Sequence, residues 1–192
     1  MKLSEEDGEL FMKLWSELTD YVSEQKNLEN PLLWPPERVN TKEFHTAYTA
    51  LLDALFSEDG VLIDSFVSAN PDLPGDHQDL VLSWKNHITD KFILERYLKK
   101  GAVFHGRHKA FIVQGISESL EDLYWGQAPL MVETTLIPFR KVIIFTRFIS
   151  VYSITFGPGA RRGFKESYSE MKAAKRVYSS LPVPDDDEED DY

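Results

Sequence analysis

Leu130-Met131-Val132-Glu133-Thr134-Thr135-Leu136-Ile137, the break Pro138-Phe139-Arg140-Lys141, and Val142-Ile143-Ile144-Phe145-Thr146-Arg147-Phe148 together decide the fold class. Two apolar runs rich in β-branched side chains flank a four-residue interruption, and such side chains suit a pleated surface better than a helix. The spacing predicts strands over 130–137 and 142–148. Working upstream, Ala102-Val103-Phe104 and Ala110-Phe111-Ile112-Val113 flank His105-Gly106-Arg107-His108-Lys109, a hairpin signal. Residues 92–98 fit neither period cleanly and read as mostly strand. Between the hairpin and the long runs, Ser119 and Asp122 cap a short helix over 120–125 that Gly126 ends. Downstream, residues 151–156 form one more strand, broken by Gly157-Pro158-Gly159. A closing helix over 161–178 turns Phe164, Tyr168, Met171 and Tyr178 inward.

The first ninety residues obey a different period. Leu10, Phe11, Leu14, Trp15, Leu18, Tyr21 and Val22 recur at helical spacing after a capping-box-like Ser4 and Asp7. Asn40 with Glu43 opens a second helix carrying Phe44, Tyr48, Leu51, Leu52, Leu55 and Phe56. Gly60 precedes a third through Leu62, Ile63, Phe66 and Val67, and Asp76 with Asp79 caps a fourth bearing Leu80, Val81, Trp84 and Ile88. Helices followed by strands, without βαβ alternation, point to an α+β fold. The expected architecture is a helical amino-terminal half (1–90) packed on an antiparallel, barrel-like meander closed by the terminal helix (91–182). A disordered acidic tail (183–192) follows, because seven acids after Pro184 bury no apolar surface and repel one another.

Of the 192 residues, 42% are hydrophobic and 28% charged, the make-up of a globular chain. Absence of cysteine excludes disulfides, thiolate metal sites and cysteine nucleophiles. Met1–Asp7 lacks an apolar h-region, and the apolar stretch 142–156 is too short to span a bilayer. A soluble cytoplasmic protein with no membrane partner is therefore expected. The net charge of −11 is unevenly spread: residues 1–90 carry 18 acids and 6 bases, residues 91–184 carry 7 acids and 15 bases. Either the two halves neutralise each other, or the basic half faces an anionic partner, or the two signs meet in a homo-oligomer.

The segment Phe156-Gly157-Pro158-Gly159-Ala160-Arg161-Arg162-Gly163-Phe164 carries the strongest chemical signal. A glycine-rich turn feeding a helix exposes backbone amides where the helix dipole favours an anion. Two arginines in that first turn are disfavoured until a phosphate or carboxylate arrives for their guanidinium forks. Arg161, Lys165, Lys172 and Arg176 then fall on one helical face, so Gly157, Gly159, Arg161, Arg162, Lys165, Lys172 and Arg176 form the candidate anion site. The plain alternative is a tight strand-to-helix turn whose arginines pair with the chain's own acids. The glycine spacing matches neither a dinucleotide fingerprint nor a P-loop.

No catalytic residue, metal ligand set or cofactor is assigned. His105 and His108 flank a basic hairpin tip with no third ligand nearby, and His45 and His87 sit on predicted helices. Glu133, and after it Glu95, are carboxylates inside apolar runs; each either holds a raised pKa or pairs with a cross-strand base such as Arg147. Aromatics interleave with cations in the basic half, as on single-stranded nucleic-acid platforms, although a small sheet also needs rings for its core. The block from Glu95-Arg96-Tyr97-Leu98-Lys99-Lys100 through residues 129–139 to the Phe156–Arg162 turn resembles a family of small uncharacterised prokaryotic proteins. That resemblance supports the domain reading and implies no catalytic residue. The expected function is a non-enzymatic binding module for an anionic partner, an acidic protein surface or a nucleic acid. The alternatives are an enzyme acting on a phosphorylated or carboxylated small molecule and a structural subunit of a complex.

Overall fold

A computed structural model describes residues 1–39 and 41–183. The chain divides into two compact units, one formed by Glu5–Lys85 and the other by Met1–Ser4 with the chain from Asn86 onward. Expectations for Asn40 and for the acidic tail fall outside the described residues.

The first unit is helical: α1 (Glu5–Lys26), α2 (Lys42–Phe56), α3 (Val61–Ala69) and α4 (Gly75–Ser83). The apolar stripe of α1 buries Phe11, Leu14, Trp15, Leu18 and Val22 completely. Phe11 and Trp15 meet the ring of Trp84 at centroid distances of 5.8 and 5.4 Å, within the range of favourable edge-to-face pairs. One expected cap, that of the fourth helix, is corrected. Helix α2 is opened by Thr41, whose hydroxyl accepts from the Phe44 N–H at 3.1 Å. Helix α4 starts at Gly75 behind Pro74 with no side-chain cap, and Asp76 lies inside its first turn.

The second unit is a closed five-stranded barrel built from β1 (Ile88–Leu98), β2 (Gly101–His105), β3 (Ala110–Val113), β4 (Leu130–Phe139) and β5 (Val142–Phe145). Strand order is β1-β2-β3-β5-β4, and β4 returns to β1. Three hairpin-linked strands with a fourth returning beside the first make a Greek key. The expected all-antiparallel meander is thereby corrected, because β3 runs parallel to β5. Closure depends on the length of β1. Its first seven residues pair with β4, its last ones with β2, and a bulge between Leu94 and Arg96 bends it from one partner to the other. Phe92 touches Phe104 and Phe111 at 5.9 and 5.8 Å, and all three rings are buried. Gly101 is obligatory: its φ is +146°, and a Cβ there would stand 2.5 Å from the Val113 carbonyl oxygen.

The short helix α5 (Leu120–Leu123) is capped by Ser119, as expected. Strand β6 (Ser150–Tyr152) pairs with β4 and is shorter than the expected 151–156. Strand β5 ends at Phe145, not at residue 148, and Arg147 just beyond it takes a φ of +67°. Helix α6 spans Pro158–Ala173 and does not reach residue 178. It closes in a Schellman motif: Arg176 N–H donates to the Met171 carbonyl at 2.8 Å and Lys175 N–H to Lys172 at 3.2 Å, with Lys175 at φ +60°. Tyr178, expected on that helix, lies instead in β7 (Val177–Tyr178), parallel to β3. At the other end of the chain, Lys2 bridges Gly115, so the first residues belong to the barrel unit.

Candidate functional site

Helix α6 begins with Gly157 as cap residue and Pro158 in the first turn, which contains no acid. Gly157, Gly159 and Gly163 have open space where a Cβ would stand, and none takes a positive φ. The turn is thus not glycine-rich for steric reasons. Arg161, Lys165 and Lys172 lie within about 40° of one another around the helix at its 100° per residue. Beside them run Phe164, Tyr168 and Met171, which face the barrel. Arg176 leaves this group: it lies beyond the Schellman turn, and its carbonyl receives the Ala110 N–H at 2.9 Å.

Arginine pairing separates the two sequence readings. Arg162 Nε reaches Glu166 Oε1 at 3.5 Å, with both side chains largely exposed, so the pair contributes little. Among the described residues Arg161 meets no carboxylate. Its Nε donates to the Phe156 carbonyl at 3.0 Å and its Nη1 to the Ala128 carbonyl at 3.4 Å. These neutral acceptors orient the guanidinium, and no described residue compensates its charge.

Arg161 also closes one end of an open groove of about 510 Å³. The β4–β6 ladder ends at Met131 opposite Tyr152. One wall of the groove is 127–130, just past that rung, and the other is 151–156, which starts within the ladder and runs past it, with no acidic residue on either. The first wall is tethered by the Tyr97 hydroxyl, which donates to the Gln127 carbonyl at 2.6 Å. Burial and the neighbouring Tyr124 and Glu121 push the Tyr97 pKa up to about 12, so the phenol stays a donor across the physiological range. On the second wall Val151 and Ile154 are each 45% exposed.

A second polar cluster lies under α6, where the sequence suggests an exposed hairpin tip. His105 ends β2 and is buried, while His108 is exposed in the turn. The bulge turns Glu95 outward beneath the helix, placing Oε2 2.9 Å from His105 Nε2. Neither atom completes a well-formed hydrogen bond. Arg96 binds the other carboxylate oxygen through Nε at 2.7 Å and also through Nη2, and lies 5.0 Å over the Tyr168 ring. Desolvation lowers the His105 pKa, Arg96 adds to that effect, and Glu95 opposes it. The unfolded imidazole takes up its proton near pH 6.5, whereas the folded one resists. The stabilisation is therefore complete above about pH 6.5 and is lost as pH falls through the depressed folded value. A His105→Gln variant is expected to show a shallower fall in melting temperature between about pH 7 and pH 5 than the wild type; equal slopes would assign the titration to another group.

Glu133 is also committed. It accepts a hydrogen bond from the Tyr152 hydroxyl and stands opposite Lys91 in the ladder, so Lys91, not Arg147, is its cross-strand cation. Among the described residues no three His, Asp or Glu side chains cluster as metal ligands. No helix of the described residues is long and apolar enough to cross a membrane. No protein-family model, curated protein or solved structure matches the chain. The groove and the Glu95–His105 contact were both invisible to motif reading. The first needs the splaying of two strands distant in sequence, the second a bulge and a covering helix.

Proposed function

We propose that the barrel unit is a non-enzymatic binding module for an anionic partner, engaged through the 157–165 turn and the basic side of α6. The observation that carries this reading is the Arg161 guanidinium, oriented by two carbonyls and opposed by no carboxylate among the described residues. Lys165 and Lys172 extend the same positive face and have no ion pair among the described residues. The wider unit supports it, since residues 91–184 hold 15 bases against 7 acids. An enzymatic role for Glu133 or Glu95 is less well supported, because each carboxylate is already engaged.

A nucleic-acid partner is the second reading. Five-stranded Greek-key barrels of the OB type bind oligonucleotides and oligosaccharides across strands 2 and 3, and basic residues occupy the turns at Lys99-Lys100, Arg107-His108-Lys109 and Arg140-Lys141. This is an analogy of architecture alone. Against it, α6 lies on the outer face of β2 and β3, where Met171 and Tyr168 contact Val103, Ala110 and Ile112.

Thermal shift in pyrophosphate tests the first reading. A bound anion at one hundred times its Kd stabilises the folded state by about 2.7 kcal/mol, and the Arg161→Ala/Arg162→Ala double variant is expected to lose that gain. Undiminished stabilisation in the double variant would place the anion elsewhere. A salt series on oligonucleotide affinity tests the second, which requires a steep decline between low and moderate salt.

A further inference from the structure

We infer that the groove between 127–130 and 151–156 captures the carboxyl-terminal end of an extended peptide, with its terminal carboxylate on Arg161. The inference rests on the anion-binding reading and names the ligand for it.

Three features of the groove converge on that class. The walls are two backbone segments that leave a shared ladder at Met131 and Tyr152 and diverge. A third extended chain can enter such a gap and pair with main-chain groups that have lost their neighbour. On the second wall the amides of Thr155 and Phe156 bond to nothing among the described residues, so donors stand next to the guanidinium. The walls also carry apolar surface where alternate peptide side chains would lie: Pro129 and Leu130 on one side, Val151 and Ile154 on the other. Finally, the lining holds one cation and no acid. One guanidinium beside free amides suits one carboxylate, which it binds bidentately. A single-stranded nucleic acid needs a positive track along successive phosphates and stacking faces, and a lone arginine does not supply that track. The volume, about 510 Å³, lies within the range of pockets that enclose a small ligand or a peptide end.

The probe is a fluorescein-labelled hexapeptide of alternating valine and threonine, prepared with a free carboxyl end and with a carboxamide end, read by anisotropy on the full chain. The free acid is expected to bind about tenfold more tightly than the amide, the scale of one charge-assisted contact. Arg161→Gln should erase that difference, and Ile154→Asp should weaken both peptides. Arg161 and Ile154 lie at the surface, so both variants are expected to fold, and circular dichroism checks this. If the acid and the amide bind alike while Arg161→Gln still abolishes stabilisation by pyrophosphate, the peptide inference fails and the anion-binding reading stands. If neither probe responds to Arg161→Gln, both fail. Preference for an oligothymidylate of equal length over the free-acid peptide also overturns the inference, in favour of nucleic acid.

Discussion

Replacing Phe104 by Ala should cost the barrel unit about 3–5 kcal/mol, the range for deleting a fully buried aromatic ring. The ring is wholly inaccessible and meets Phe92 at 5.9 Å, and Phe92 in turn meets Phe111 at 5.8 Å. Phe104 sits on β2 directly between its partners Leu94 on β1 and Phe111 on β3. A cavity there removes contacts from three strands together, and a closed barrel has little freedom to collapse around it. Because the chain has two units, urea unfolding should be followed through amides of the barrel, by hydrogen exchange or NMR, since a global signal mixes two transitions. Trp125, 85% exposed, supplies the control: Trp125→Ala is expected to change stability by less than about 0.5 kcal/mol. A Phe104→Ala loss as small as the control's would mean that this ring does not hold the barrel together.

Glu95→Ala should be nearly as damaging, at about 3 kcal/mol, the lower edge of the range for breaking a buried ion pair. The lower edge applies because Arg96, whose side chain is 36% exposed, can turn to water. His105 cannot; its side chain is 5% exposed, and its Nε2 lies 2.9 Å from Glu95 Oε2. Without that carboxylate the buried imidazole keeps its desolvation cost and loses the charge that offsets it. The double substitution Glu95→Leu/His105→Leu separates this cause from simple loss of volume. Removing both polar groups together leaves no orphan, so the pair should recover most of the loss. If the double variant is as unstable as Glu95→Ala, the polar contact is not what Glu95 contributes.

The fold class was legible because period and composition change near residue 90: α1 carries a clean helical stripe, while 130–145 is apolar, β-branched and interrupted by a turn. A barrel-like sheet was legible, but the pairings that close it were not. Closure requires β1 to pair with β4 and β3 with β5, long-range pairings that leave no local trace. Element ends were misread where residues other than glycine take a positive φ. Lys175 ends α6 and Arg147 lies just past β5, each in a backbone state that sequence reading reserves for glycine or asparagine. For the candidate site, the arginines at 161 and 162 were found from their place in the first turn of a helix. Counting spacing past an unseen helix end wrongly added Arg176. His105 reads as a turn residue because it adjoins Gly106 and Arg107 in a basic hairpin tip; all five residues of β2 are buried, since α6 covers the strand's second face.

The bridge between Lys2 and Gly115 has a consequence for biosynthesis. Residues 1–3 are translated before 5–85, yet their hydrogen-bonding partner Gly115 emerges more than a hundred residues after them. In between, the whole of Glu5–Lys85 is made, a unit with its own aromatic centre that can fold as it appears. Residues 1–3 must therefore wait, tethered to a finished helical body, until the third barrel strand has been translated.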